Sequence, residues 1–387
     1  MTERTRLLID GVFFQRASTG IARVWRSILP EMAKRIDIRI LDRGNTPQME
    51  GVEAIPFASH LSKPIGPTAT ESILIEQLCR DWGAHVFAST YYSSALSTPG
   101  LQMVYDMIPE VLNIDMSHRD WQEKEIALLY ARAHVCISHK TRSDLLRLYP
   151  EIDPARTTVA YCGIEPHIFH PRPVAEIVDF RAAQGVDGPY LMMVGTRIGI
   201  EGYKNGAHFF EALAGMPARD DLILLCTGGE PDLPEVTMGG RRIPVKRVSL
   251  SDDNLARAYA GAEALVYPSL YEGFGMPPAE AMASGCPVIT TNHGSLAEVV
   301  GDAALTVSGR DVGEMRAALD AVRDPATRAR LIDAGLERSQ EFRWERMAVH
   351  VADQVIALAR DAADGRFAPF LAKWEKLRRL QADVDHE

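Results

Sequence analysis

Glu272 and Glu280 are separated by seven residues, and Gly273-Phe274-Gly275-Met276-Pro277-Pro278 fills most of that gap. A carboxylate accepts hydrogen bonds from hydroxyl groups, two at once where the geometry suits. Glycines let a backbone turn tightly and approach a ligand closely. A helix beginning directly behind them aims unpaired N–H groups into the loop, which favours negative charge there. Together these residues describe a site for a ligand that carries both hydroxyls and anionic groups.

Such a site needs a strand, a loop and a helix in succession, and the flanking sequence supplies them. Residues 264–267 are a short apolar run ending at Pro268, as a buried strand would be. Pro277 and Pro278 suit the first turn of a helix, where a missing N–H is no loss. Gly285 and Pro287 stop that helix, and Val288 starts the next strand. A second strand-to-helix loop follows at 290–298 and contains Ser295 and Leu296. Upstream, a buried strand is expected over 190–195, ending at Gly195. Thr196 then opens a charged, Gly-bearing loop to residue 205 that holds Arg197 and Lys204.

The first half repeats this grammar. A strand at 7–9 ends at Asp10-Gly11, and the loop 15–20 leads through Gly20 into a helix over 21–34. Its apolar face is Ile21, Val24, Trp25 and Ile28. Gly20 stands where a backbone can meet a phosphate or acceptor group, or serves as a turn glycine. Further strands are expected at 36–41, 85–89, 102–106, 135–138 and 158–161. Residues 44–70, rich in Pro, Gly and polar side chains, read as an irregular connection. Asp106, at the C-terminal end of its strand, is placed for a site or for capping a helix. Between 171 and 188 strand character is lost and Pro, Gly and charge accumulate, so the domain linker is expected there. Alternating strands and helices, twice over, predict an α/β protein with two parallel-sheet domains.

Length and composition agree. The chain has 387 residues, 46% hydrophobic and 24% charged, enough for two soluble domains with full cores. A net charge of −10 argues against general nucleic-acid binding. Five scattered cysteines without a C-x-x-C pair read as reduced thiols of a cytoplasmic protein. Met-Thr-Glu-Arg-Thr-Arg runs straight into a strand, so no signal peptide is expected. No apolar run reaches the roughly 18 residues of a membrane span. The basic amphipathic helix over 21–34 leaves a peripheral membrane contact open.

With these motifs in view, the chain resembles the retaining glycosyltransferases of family 4 (group 1). The resemblance rests on Glu272-x7-Glu280 around Gly273-Phe-Gly-Met-Pro-Pro278, on Gly285-x-Pro287-Val288, on Leu296-Ala-Glu298-Val299 and on Gly301-Asp-Ala-Ala-Leu305. Val194-Gly195 with Lys204-Asn205 adds to it. It implies a GT-B architecture: two Rossmann-like parallel-sheet domains facing a central cleft, with C-terminal helices crossing back to the first. The expected domains are 1–172 completed by 355–387 for the acceptor, and 188–354 for the donor.

The resemblance also implies roles. Lys204 holds the diphosphate of a nucleotide-diphosphate sugar and offsets leaving-group charge, with Arg197 beside it. Glu272 accepts donor-sugar hydroxyls, and Gly273, Phe274 and Gly275 offer backbone N–H groups. Glu280 takes the ribose hydroxyls, and Ser295 and Leu296 contact phosphate through backbone N–H. Gly195 and Thr196 line the donor site, and Gly20 lies near the phosphates and acceptor. The family often has His-Asp where this chain has Tyr105-Asp106, so Tyr105 either replaces that histidine or its role has moved. His118 and His139 are alternatives, or surface helix residues.

The expected activity is hexosyl transfer, with mannose from GDP-mannose the first choice, to a glycan or lipid-linked acceptor of surface polysaccharide synthesis. No cofactor is expected beyond the sugar nucleotide as co-substrate, and no metal is required if Lys204, Arg197 and helix N-termini neutralise the diphosphate. Asp383-x-Asp385, in a polar tail, is expected to have no role. A dinucleotide-dependent oxidoreductase is disfavoured, because Gly273-Phe-Gly-Met-Pro-Pro278 lacks the third glycine of G-x-G-x-x-G. The alternative is a catalytically silent partner subunit that keeps the fold and binds sugar nucleotide or glycan.

Overall fold

A computed structural model describes residues 4–16, 19–58, 69–199, 202–232 and 235–384. Short apolar runs become parallel strands, and the amphipathic segments between them become crossover helices. In chain order the first elements are β1 (Arg6–Asp10), α1 (Gly20–Ala33), β2 (Asp37–Asp42), β3 (Val52–Pro56), α2 (Ala69–Trp82), β4 (Val86–Ser89) and β5 (Gly100–Val104). Then come α3 (Ile108–Val111), α4 (Arg119–Tyr130), β6 (Ala133–Cys136), α5 (His139–Leu148) and β7 (Thr157–Val159). These strands form one parallel sheet in the order β3-β2-β1-β4-β5-β6-β7.

The next stretch comprises α6 (Val174–Gln184), β8 (Tyr190–Val194), α7 (Gly206–Ala214), β9 (Ile223–Thr227), β10 (Thr237–Met238), β11 (Arg241–Arg242) and β12 (Val245–Val248). It continues with α8 (Asp252–Gly261), β13 (Ala264–Tyr267), α9 (Met276–Ala283), β14 (Val288–Thr291), α10 (Leu296–Val300), β15 (Leu305–Val307), α11 (Val312–Ala321) and α12 (Pro325–Ser339). Its parallel sheet has the order β12-β9-β8-β13-β14-β15. Phe209 and Leu213 of α7 and Met315 and Leu319 of α11 bury against Leu224 and Val266 of this sheet. Each such side chain contributes about 1.5–3 kcal/mol through burial. The chain ends in α13 (Trp344–Ala363) and α14 (Ala368–Val384).

In each sheet the strand order reverses once, at β1/β4 and at β8/β13. Open α/β sheets bind ligands at the carboxyl ends of the strands beside such a switch point.

Contacts divide the chain into one unit up to Gly163 together with the part from Trp344, and a second unit Ile164–Arg343. The boundaries thus differ from the expected 172, 188 and 355. Residues 164–172 belong to the second unit because the Phe169 ring lies 6.3 Å from that of Tyr259 and Arg172 pairs with Asp253 at 2.8 Å. The expected linker instead contains α6, which packs on α8 and is closed by Gly185 in a left-handed conformation. Its weak apolar pattern, with Phe180 its one buried residue, hid it. The return to the first unit begins earlier because α13 is apolar on its inner face from Trp344 onward, through Met347, Val351, Val355 and Leu358. The connection read as irregular over 44–70 contains β3, an edge strand whose residues are largely exposed.

The apolar face of α1 is not free for a membrane. Val24, Trp25, Ile28, Leu29 and Met32 are buried, and the helix packs on α13. All five cysteines are buried and unpaired, and burial pushes the Cys136, Cys162 and Cys286 thiols up to about 12. Among the described residues no helix is long and apolar enough to cross a membrane.

Candidate functional site

In the second unit the loops after β8 and β13 leave the switch point side by side. Leu270 N–H donates to Tyr203 O at 2.8 Å, joining the two loops directly. Lys204 is thereby brought to Glu272, with Nζ 2.6 Å from Oε1. The Lys204 ammonium also lies 3.5 Å from the Tyr267 hydroxyl and faces the Tyr203 ring at 4.8 Å. Burial lowers the ammonium's affinity for its proton, but Tyr267, Glu272 and Tyr203 outweigh that, and its pKa is raised above the ordinary lysine value. Burial first, and Glu272 second, push the Tyr267 phenol up as well. The result is a protonated lysine beside a neutral phenol and a carboxylate, with 14% of the Lys204 side chain and 11% of the Glu272 side chain still open.

The Glu272 loop is braced from beneath. Ser295 Oγ lies 2.9 Å from the carbonyl oxygens of both Glu272 and Phe274. Gly294, at φ +60°, passes so close that a Cβ would stand 2.8 Å from Glu272 N. Gly275, at φ +100°, caps α9, and a Cβ there would meet the Leu296 side chain at 2.8 Å. Both glycines are needed for conformation and for space at once. Pro277 and Pro278 occupy the first turn of α9, and the Phe274 ring stands edge-on to Phe342 at 5.3 Å. Glu280 is 3% exposed on the inner side of α9 and accepts a hydrogen bond from Tyr259 OH at 3.3 Å.

Several expected ligand groups are otherwise engaged. The Arg197 guanidinium donates to Gly228 O at 3.2 Å and pairs with Glu230 at 3.3 Å. The same carboxylate accepts Arg197 N–H at 2.9 Å and Ile198 N–H at 3.0 Å. Burial pushes Glu230 up, yet these N–H groups and the guanidinium outweigh it and hold the carboxyl at about 2. This lock draws Arg197 to the turn after β9. The N–H groups of Ser295 and Leu296 are not directed at a ligand either, since they donate to Glu272 O at 3.3 Å and His293 O at 3.2 Å. Gly195 N–H donates to Thr227 O at 2.9 Å, and Thr196 is exposed at the loop entrance.

In the first unit Gly20 opens α1 behind Thr19, whose hydroxyl caps the helix by accepting Ala22 N–H at 3.4 Å. Ala17 and Ser18 of that loop lie outside the described residues. Tyr105 lies inside the first unit. It is 4% exposed, its hydroxyl accepts the Trp25 indole N–H and lies 3.4 Å from Thr90 O, and burial pushes its phenol well up. Asp106 takes the capping option, with Oδ1 accepting Ile108 N–H at 3.0 Å as α3 begins. His118 and His139 are exposed. Asp385 of the terminal acidic pair lies outside the described residues.

Three participants escaped the sequence reading: Tyr267, Tyr259 and Glu230. Tyr267 had a usable signal, since it ends the strand that precedes the glycine loop. Tyr259 and Glu230 act through helix face and loop return, which spacing does not encode.

The family described as Glycosyl transferases group 1 matches residues 188–324, the stretch that contains the Lys204 and Glu272 loops. The MMP alpha-(1->4)-mannosyltransferase of Mycolicibacterium hassiacum is 34% identical over 238 residues, 59% of this chain and 54% of that protein. The O-antigen chain mannosyltransferase B of Escherichia coli is 34% identical over 227 residues, 56% of this chain and 58% of that protein. This chain therefore spans little more than half the length of either relative. The sucrose-phosphate synthase (tll1590) of Thermosynechococcus elongatus superposes with a TM-score of 0.67 at 20% identity, covering 92% of this chain and 99% of that one. The fold is that of the GT-B glycosyltransferases. Residues 188–324 are thus similar to the group 1 glycosyl transferase domain.

Proposed function

We propose that the protein is a retaining hexosyltransferase of family 4. It moves a hexose, with mannose from GDP-mannose as first assignment, to a hydroxyl of a glycan or lipid-linked acceptor in surface polysaccharide synthesis, working in the cytoplasm or at the inner membrane face. The observation that carries this is the Lys204–Glu272 pair, a protonated cation and a hydroxyl-accepting carboxylate held 2.6 Å apart beside the switch point. Without ligand each satisfies the other. With donor bound, Lys204 turns to the diphosphate and Glu272 to the sugar hydroxyls. Glu280 takes the ribose, exchanging its bond from Tyr259 for those of the ribose hydroxyls.

The step breaks the bond between the anomeric carbon and the diphosphate oxygen, and a bond to the acceptor oxygen forms on the same face. The acceptor proton passes to the departing phosphate, whose growing charge Lys204 stabilises. Phosphate neutralisation by Lys204 makes a divalent metal unnecessary, so turnover is expected to survive a chelator. The mannose assignment draws on the activities of the two mannosyltransferase relatives.

Incubation with a panel of nucleotide sugars and acceptor glycans, while nucleotide release is followed, tests the reading. GDP release from GDP-mannose that depends on acceptor is the expected result. One observation favours a second reading, a silent partner subunit: Tyr105 is buried against Trp25, so its phenol is not presented as a replacement for histidine. Tight nucleotide-sugar binding with no release from any donor–acceptor pair would establish that reading instead.

A further inference from the structure

At the amino ends of β6 and β7, opposite the ligand-binding ends of the same sheet, α14 covers a cavity of about 610 Å³. Phe367, Phe370, Trp374 and Leu377 supply its apolar wall. Arg132 reaches in from the other side and stacks on the Phe370 ring at 3.5 Å. Its guanidinium donates to the carbonyls of Tyr130 and Leu129 and has no carboxylate partner among the described residues. Burial, the largest influence on it, pulls it down to about 10. The Trp374 indole N–H has no hydrogen-bond partner among the described residues. Arg156 and Arg366 on the same rim share Asp361, and Glu151 and Asp153 are the acidic residues of the lining.

Beyond the cavity the helix exposes an apolar stripe. Leu377, Leu380 and Val384 are 52%, 53% and 69% exposed. Their spacing puts them on one face of α14. Lys373 and Lys376 flank the stripe and form no ion pair among the described residues, while Arg379 is shared with Glu375. An unpaired cation in an aromatic pocket, continuous with an apolar stripe edged by lysines, matches an anionic headgroup joined to acyl chains. A two-fold copy of this chain fits poorly, because a self-complementary contact through this face would set lysines against lysines. The face also contrasts with the chain's net charge of −10, which otherwise opposes an anionic surface.

We propose that α14 and the Arg132 pocket form a docking site for an anionic phospholipid bilayer. The purpose of that docking, delivery of a membrane-linked acceptor, rests on the proposed transferase activity. The binding itself does not, so each can fail without the other.

The test is co-sedimentation of the full chain with vesicles of phosphatidylglycerol and phosphatidylcholine, against vesicles of phosphatidylcholine alone. Binding to the anionic vesicles only is expected. Lys373→Glu with Lys376→Glu should lower it at least about tenfold. Leu377→Glu with Leu380→Glu should do the same, with the circular dichroism spectrum and thermal midpoint of wild type, which reports that the variants are folded. Equal partitioning of wild type and folded variants would overturn the proposal. So would a dimer in analytical ultracentrifugation that Leu377→Glu dissociates, with no vesicle binding by the wild type.

Discussion

In the first unit Arg43 grips Asp10 with two bonds of 2.7 and 2.8 Å, and neither side chain has any exposure. In the second, Lys204 holds Glu272 at 2.6 Å with part of each side chain open to solvent. Both pairs sit where the central strands of a reversing sheet end, yet they do different work. Asp10 also accepts from Ser93 at 2.7 Å, and Arg43 reaches Glu71 at 3.1 Å, so the first cluster is satisfied internally and ties β1 to the chain after β2 and to α2. The second pair has fewer partners, a phenol and an aromatic face, and can exchange one carboxylate for a phosphate. A charge that is fully enclosed stabilises loops, and one left partly open is available to a ligand.

The largest effect expected from breaking this contrast is on the enclosed side. Arg43→Met leaves Asp10 buried without its counter-charge and should destabilise the protein by about 3–5 kcal/mol in urea unfolding. A loss of less than about 1 kcal/mol would mean that the cluster is not structural. On the open side, Lys204→Ala should lower the transfer rate by roughly a hundredfold or more, as does loss of one oxyanion donor, with little change in stability. An unchanged rate removes Lys204 from the mechanism. Glu280→Ala should weaken nucleotide binding by about 1.5–3 kcal/mol in calorimetry. Affinity equal to wild type would leave Glu280 as a partner of Tyr259 and nothing more.

Smaller effects sharpen the comparison. Tyr105→Phe should lower stability by about 1 kcal/mol through the lost hydrogen bond and leave turnover within about twofold. A large fall in turnover with intact stability would restore a catalytic role to Tyr105. For Glu230, the folded carboxyl lies at about 2 against an ordinary 4.5. A depressed carboxyl stabilises the fold above its unfolded value and loses that contribution as it gains a proton. The stability gap between wild type and Glu230→Gln should therefore close as pH falls from 4.5 towards 2. A gap that is constant over that range would show that the Arg197 lock does not depend on the charge.

The Glu272 loop was legible because each of its demands is local. Gly275 must adopt a positive φ, Pro277 and Pro278 must sit in a first turn, and both conditions are written in consecutive residues. Lys204 was legible through family resemblance, and its meeting with Glu272 came from the adjacency of β8 and β13. The Arg197–Glu230 pair was not legible because Glu230 arrives from the next strand's return. The burial of Tyr105 was not legible because it depends on Trp25 of α1, far away in sequence. The helix over 174–184 and the strand over 52–56 were missed because both are peripheral, and one-sided packing leaves only a faint apolar period.

What the amino-acid order determined by itself was the alternation of strands and helices, the two-unit α/β class and the chemistry of the Glu272 loop. These follow from backbone preferences and hydrophobic period, which act over a few residues. Tertiary structure decided which charges face one another: Lys204 with Glu272, Arg197 with Glu230, Glu280 with Tyr259, Asp10 with Arg43. Electrostatic partnership depends on distance and burial, and both are set only when separate strands come to lie side by side.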